Sequence, residues 1–409
     1  MCYTGRVTDA AQTIDADALR AEVRAWLAAN APGDPGFPLP QSPLAVATQE
    51  QFDFLREWQR RLYDAGFVGM EWPAEYGGRG LPHGTQRLVD QEMARARVPF
   101  LLNLVGLSWA GPTILQFGTE AQKRRFIAPL LRADHIWCQG FSEPEAGSDL
   151  ASLRTRARRD GDDYVINGHK VWTTLGHFAD FMILLARTDP DAAKHAGISY
   201  FLAPMKIPGI TVQPLVKMTG EGGFNQVIFG DARMPADALL GREGQGWELA
   251  VATLSFERGA TEGSGGGSAG SADSIGDLIA LARGLVRDGR PVLDDPVVRD
   301  RLAAFVIEET ALRYAVQRAR LPGLVEDRPF ALPLMRKLES SEFAQRLSDF
   351  ACELQGYAAG LWLDDPAAVA GAEWQRSYLN SYGLTIAGGT SEILRNILGE
   401  RVLGLPKTK

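Results

Sequence analysis

Three stretches of this 409-residue chain combine residue types that could hold an anion, a carbonyl or a flat ring. Within residues 137–149, the run Gln139-Gly140-Phe141-Ser142-Glu143-Pro144-Glu145-Ala146-Gly147-Ser148 packs Gly, Ser and Pro into one loop. Successive backbone N–H groups in such a turn can form a concave nest for anionic or carbonyl oxygens, and Ser142 and Ser148 add hydroxyls. In Lys170-Val171-Trp172-Thr173-Thr174, an indole followed by two hydroxyl residues could wall a planar ring and hydrogen-bond its edge. Within residues 384–395, Gly388-Gly389 permit close backbone approach, and Thr390-Ser391 have the look of a helix cap. A helix start beside a glycine turn suits a phosphate or a polarised carbonyl. Each stretch also has a plainer reading: a domain junction, a half-buried strand with its indole in the core, and a well-capped helical corner.

The elements that must position these stretches follow from periodicity. Leu19, Val23, Trp26 and Leu27 form a helical stripe, with Asp15 and Asp17 as candidate caps. Phe52, Leu55, Trp58 and Leu62 form a second, ending before Gly66. Residues 72–80 are a turn-rich break, after which helical texture runs from about 84 to 132. Near residue 136 the pattern changes. The segment 164–172, with Asn167-Gly168 between β-favouring flanks, predicts a β-hairpin. Further strands are predicted over 181–186, 198–202, 210–212 and 225–229, closely punctuated by Pro and Gly as in a small sandwich or barrel. After Gly246 helices return, with Leu302, Phe305 and Val306 on one and Leu334, Leu338, Leu347, Phe350, Ala351 and Leu354 on another. The predicted domains are 1–135 (helical), 136–245 (β) and 246–409 (helical), an α+β chain. The run Gly265-Gly266-Gly267-Ser268-Ala269-Gly270 matches GxGxxG and, in part, GxSxG. No strand precedes it, so it reads as a flexible Gly/Ser loop.

Composition removes several function classes. With 43 Lys+Arg against 50 Asp+Glu, the net charge is −7, which argues against electrostatically led nucleic-acid binding. No run approaches the roughly 20 apolar residues of a membrane span. Cys2, Cys138 and Cys352 are too few and too scattered for a disulfide framework, and the five histidines form no metal-binding cluster. The first residues lack the pattern of a secretory signal, so a cytoplasmic location is expected.

Taken together and in order, the three stretches resemble the acyl-CoA dehydrogenase family of flavoproteins. The resemblance covers nearly the whole chain. It runs from Trp72-Pro73-x-x-Tyr76-Gly77-Gly78 through Gly111-Pro112 and Phe117-Gly118-Thr119-Glu120-x-Gln122-Lys123 to Phe141–Asp149. It continues in Asn167-Gly168-x-Lys170-x-Trp172-Thr173 and closes with Arg401-Val402-Leu403-Gly404-Leu405-Pro406.

That resemblance implies an N-terminal helical domain, a central β-barrel and a C-terminal four-helix bundle, with FAD extended between barrel and bundle and completed by a neighbouring subunit. It implies that Gln139, Phe141 and Ser142 line the isoalloxazine, and that Ser148, beside Gly147, reaches the flavin phosphates or the substrate. Trp172, Thr173 and Thr174 would cover the opposite ring region. Gly356, Thr390 and Glu392 would meet the ribityl–pyrophosphate–adenosine portion. The family reaction is α,β-dehydrogenation of an acyl thioester: a carboxylate removes the α-proton while the β-hydrogen leaves as hydride to flavin N5. The site must stabilise a developing enolate and exclude water.

Two positions in the family can carry the base. The commoner one is Gly388 here, which leaves only its N–H to polarise the thioester carbonyl. The other falls in Leu254-Ser255-Phe256-Glu257-Arg258, which makes Glu257 the candidate, with Arg258 helping to keep it ionised. A bulky, branched or ring-bearing acyl group would suit the room left at Gly388. The Arg–Lys–x–Phe–Gly segment of many members is absent; residues 281–298 offer Arg283, Arg287 and Arg290 instead. The resemblance thus implies an FAD-dependent acyl-CoA dehydrogenase passing electrons to an electron-transfer flavoprotein, as a homo-oligomer, commonly a tetramer, or as part of a heterotetramer. Open alternatives are a dehydrogenase of carrier-protein-bound acyl groups, a flavin oxidase or monooxygenase, and an FAD-binding heterotetramer subunit without its own base.

Overall fold

The computed structural model describes residues 14–40, 42–260, 274–318, 321, 331–363 and 365–407, the side chains of 258–260 excepted. The Gly/Ser run and its two motif look-alikes lie outside the described residues. The chain's contacts group into two units. Residues 14–215, 222–256 and 260 fall in the first, and 216–221, 257–259 and 274–407 in the second.

In the first unit, α1 (Ala16–Asn30) begins at Asp15, whose carboxylate accepts from the Asp17 and Ala18 N–H groups, and it buries Leu19, Val23 and Leu27. Helix α2 (Gln49–Asp64) opens with a reciprocal Thr48–Gln51 cap and buries Phe52, Leu55, Trp58 and Leu62. Helices α3 (Thr85–Ala96), α4 (Gly111–Phe117) and α5 (Glu120–Leu131) complete the helical part. Between α2 and α3, Gly78 passes so close to Trp72 that a Cβ would stand 2.2 Å from the Trp72 carbonyl oxygen, which only glycine avoids.

Eight strands follow: β1 (Trp137–Gly140), β2 (Arg156–Asp160), β3 (Asp163–Thr174), β4 (Phe181–Arg187), β5 (Ile198–Pro204), β6 (Ile210–Leu215), β7 (Phe224–Pro235) and β8 (Leu239–Leu240). They pair in the order β6-β7-β3-β2-β4-β5-β8, with β1 parallel to β4. Among the described residues β6 and β8 do not pair with each other, so the expected barrel takes the form of an unclosed sheet. The sheet is covered on both faces. Ile183 and Leu185 of β4 join the α1–α5 side chains in one core, while Met182, Leu184 and Ala186 enter a second with Phe201 and Val227. That alternation is the two-residue period of a strand buried on both sides.

The predicted hairpin at Asn167-Gly168 is corrected: β3 runs straight through it. The turn lies earlier, at Gly161 (φ 63°), joining β2 to β3. Gly168 serves close packing instead, since a Cβ there would meet Thr155 Oγ1 at 2.3 Å.

Helix α6 (Gly246–Ala260) carries the chain into the second unit. There α7 (Ile275–Gly284), a short hairpin of β9 (Val286–Arg287) and β10 (Arg290–Pro291), and helices α8 (Pro296–Arg318), α9 (Ala331–Gln355), α10 (Glu373–Ile386) and α11 (Ser391–Ile397) follow. Helices α7 to α10 share one core, built from Leu278, Leu302, Phe305, Leu347, Phe350, Leu354 and Trp374 among others. Arg287 donates to the Glu353 and Leu354 carbonyls at 3.4 and 3.2 Å, satisfying the open C-terminal end of α9. Among the described residues, no helix is long and apolar enough to cross a membrane, and no group of His, Cys, Asp and Glu could hold a metal ion.

Candidate functional site

Strand β1 and the loop after it place Gln139, Phe141 and Ser142 beside the end of β3. The Val171 N–H donates to the Ser142 carbonyl at 3.0 Å. Phe141 is buried edge-on against Tyr200, Ser142 is half-buried, and Gly147 and Ser148 are exposed. At the other side of this junction, β3 bulges. Lys170 pairs with Val227 and Thr173 with Asn225, leaving Val171 and Trp172 opposite the single residue Gln226. Trp172 occupies the left-handed region at φ 60°, and the residue is 60% exposed rather than in the core. Thr173 and Thr174 are buried. Asn225 donates from Nδ2 to the Thr173 carbonyl at 3.1 Å.

Beneath this junction lies a buried ion pair. The Lys170 ammonium donates to Glu143 Oε1 at 2.7 Å and to the Phe141 carbonyl at 3.0 Å. Glu143 also accepts from the N–H groups of Arg154 (2.6 Å) and Thr155 (2.9 Å). Burial pulls the Lys170 ammonium well below the usual lysine range, against the opposing pull of Glu143. Burial works against the Glu143 carboxylate too, but the Lys170 charge and the converging donors outweigh it and hold its pKa below the ordinary value.

The second unit holds the remaining candidates. Thr390 caps α11, its hydroxyl accepting from the Ile393 N–H at 3.2 Å. Thr390 and Glu392 line one cavity of about 420 Å³ with Arg346 and Thr385. Backbone N–H and the Thr390 hydroxyl hold the exposed Glu392 carboxyl below its ordinary value. Gly356, by contrast, stands exposed at the end of α9 with φ 58° and is not among the residues lining that cavity. Gly388 (φ 65°) and Gly389 (φ 97°) form a left-handed turn before the cap. A Cβ built on Gly388 would lie 3.6 Å from Glu257 Oε1 and 3.9 Å from Lys337 Cε. Lys337, on α9, also donates to the Gly389 carbonyl at 2.7 Å. The two positions offered for one base therefore meet at one place, although they lie far apart in sequence. The Arg258 side chain is outside the described residues.

Comparison with known proteins decides the family. The N-terminal, middle and C-terminal domains of acyl-CoA dehydrogenase match residues 13–134, 138–231 and 244–403. The acyl-CoA dehydrogenase IpdE1 of Mycobacterium tuberculosis is 40% identical over 96% of this chain and 98% of its own length. The chain belongs to the acyl-CoA dehydrogenase family. It is an oxidoreductase of that class, and the family implies a flavin cofactor. Among solved structures, a protein described as Tcur3481-Tcur3483 steroid ACAD superposes with TM-score 0.79 at 30% identity, covering 96% of this chain and 98% of that one. The ChsE4-ChsE5 complex from Mycobacterium tuberculosis gives a TM-score of 0.75 at 29% identity, covering 99% and 100%.

The acyl-CoA dehydrogenase's own residues fit a flavin. Gln139 Nε2 and Thr173 Oγ1 are buried polar atoms without a protein partner, and Trp172, next to Thr173 in β3, is exposed. Two donors and an aromatic wall suit a planar ring edged with oxygen and nitrogen acceptors. Sequence reasoning gave Lys170 and Glu143 no role of their own, and it missed Lys337 and Asn225. For Lys170 a signal exists: it follows Tyr164 and Ile166 in the strand alternation, and a lysine on the buried face requires a carboxylate partner. Nothing local in the sequence marks Lys337 or Asn225.

Proposed function

We propose that this chain oxidises an acyl-CoA at its α,β-carbons, with Glu257 as the base and FAD as the flavin. The carrying observation is the convergence of Glu257 Oε1 on the Gly388 position. Glu257 takes the α-proton as the carbon–hydrogen electrons begin to delocalise toward the thioester carbonyl. The Gly388 N–H is assigned to polarise that carbonyl, which lowers the barrier by stabilising charge where it develops. Gln139, Phe141, Ser142, Trp172, Thr173 and Thr174 are assigned to hold the flavin ring, and Thr390 and Glu392 its polar tail. FAD held by these residues would supply the hydride acceptor for the β-hydrogen and its electron pair, and an electron-transfer flavoprotein is the acceptor we assign downstream.

The substrate class we favour is a bulky, ring-bearing acyl-CoA. Gly388 contributes no side chain beside the base, and one structurally similar protein is described as a steroid ACAD. The test is anaerobic flavin bleaching against short, branched, long and steroid-like acyl-CoAs. Bleaching by the ring-bearing class supports the reading, and bleaching only by short straight chains overturns the substrate assignment. Glu257→Gln should retain bound flavin but lose bleaching by at least a thousandfold, about 4 kcal/mol of barrier. Bleaching at the unmutated rate removes Glu257 from the role.

A further inference from the structure

The bulge that presents Trp172 is held by more hydrogen bonds than a strand bulge needs. Trp172 is a bulky residue in the left-handed region, a conformation that persists only where its surroundings over-determine it. On one side of it, the Val171 N–H is tied to the Ser142 carbonyl, and on the other the Thr173 carbonyl is tied to Asn225. One residue earlier, the Lys170 ammonium, 0% exposed, reaches across to the Phe141 carbonyl and Glu143, while Glu143 grips the backbone entering β2 at Arg154 and Thr155. The pair therefore joins three segments: the loop after β1, the start of β2 and the bulge of β3. Apolar residues could fill the same volume at comparable stability, but they would not fix the register of a bulge, because apolar contacts have no direction.

We infer that the buried Glu143–Lys170 pair is a positioning device for the flavin site, locking the 141–143 loop to the Trp172 bulge so that both ring-facing segments are preset before the cofactor arrives. This rests on the assignment of those segments to the flavin ring. Neither residue needs to touch the cofactor. Their contribution is preorganisation, which shows as affinity rather than as a contact.

The test uses the full-length chain stripped of flavin and titrated with FAD, following flavin fluorescence, beside thermal melts of the same samples. Replacing only Lys170 strands a buried carboxylate and damages folding, so the informative variant is the double Glu143→Gln/Lys170→Met, which removes both charges. A Tm within a few degrees of the parent with FAD affinity reduced tenfold or more supports positioning. Parental affinity at parental Tm overturns it. Glu143→Gln alone provides the second reading should the double variant not fold, because burial already favours the neutral form of Lys170 and its amine can release the proton once the carboxylate is gone: affinity lowered threefold or more beyond what any change in Tm accounts for supports the device, and unchanged affinity refutes it. In both variants, affinity loss that merely parallels loss of Tm would mark the pair as structural and also refute the proposal. An unmutated chain that takes up no FAD would instead overturn the flavin-site assignment itself.

Discussion

Replacing Gly388 by alanine separates the two things that glycine does. At its φ of 65°, any L-residue carries a backbone penalty of about 1–2 kcal/mol. The new Cβ would meet Glu257 Oε1 at 3.6 Å and Lys337 Cε at 3.9 Å, ordinary van der Waals distances, so no steric cost is added. Gly161→Ala is the control: the β2–β3 turn has φ 63°, and nothing lies within 4 Å of the point where its methyl group would stand. Both variants should lose about 1–2 kcal/mol, a Tm drop of roughly a few degrees in each. With Glu257 as the proposed base, only Gly388→Ala would set a methyl group where the α-carbon is assigned to approach. A displacement of about 1 Å at a reacting centre can cost on the order of a hundredfold, so flavin reduction at saturating acyl-CoA should slow by about 10–100-fold while Gly161→Ala reduces at the parental rate. Stopped-flow absorbance of the oxidised flavin reads this directly. Equal Tm losses with reduction unchanged in both would refute the placement of the α-carbon beside Gly388.

Two further outcomes concern buried polar groups away from the base. Thr253 Oγ1 lies among Thr113 Oγ1 (3.0 Å), the Tyr200 hydroxyl (3.1 Å) and the Leu249 carbonyl (2.8 Å), all within the buried interior. Thr253→Val should cost about 1–3 kcal/mol in urea unfolding by removing the hydroxyl that joins Thr113 and Tyr200, and adding Tyr200→Phe should recover part of it. Thermal stability should also fall on acidification from about pH 6.5, because burial pulls His135 and His177 below the ordinary histidine pKa, so the unfolded chain takes up protons first. Below about pH 4.5 a second loss should join it, as Glu143 and Glu221, both held below their ordinary values, are protonated. A Tm flat from pH 7 to 5 would contradict the histidine part.

Helices α1 and α11 were legible at their starts and α2 through its apolar stripe, whereas α3 begins at Gly84 with no side-chain cap to announce it. Asp15 caps α1, Thr48 and Gln51 cap α2, and Thr390 caps α11, all from residues within four positions of the helix they serve. Strands β4 and β5 were legible for a similar reason, through local runs predicted over 181–186 and 198–202 that the structure extends to Phe181–Arg187 and Ile198–Pro204. Asn167-Gly168 misled because its turn preference is local, whereas β3 is held on both sides by β2 and β7. Pairing to two neighbours outweighs a turn propensity, and the glycine is then explained by Thr155 pressed against it. The indole of Trp172 shows the same limit. Whether it faces core or solvent depends on a bulge, and a bulge is a mismatch between two strands that no single stretch of sequence contains.

The candidate base illustrates how far convergence can be read from one chain. Glu257 sits near the end of α6 and Gly388 in the turn before α11, two elements with no sequence relation. A Cβ built on Gly388 would stand 3.6 Å from Glu257 Oε1, so the two positions that could carry the proposed base face the same point. A methyl group at 388 fits beside that carboxylate at van der Waals distance, whereas a long side chain there would compete with it for the same space, so the glycine is consistent with the proposed helix-borne base. Lys337 belongs to the same arrangement. By donating to the Gly389 carbonyl it fixes the left-handed turn, and its ammonium stem approaches the same point as the carboxylate.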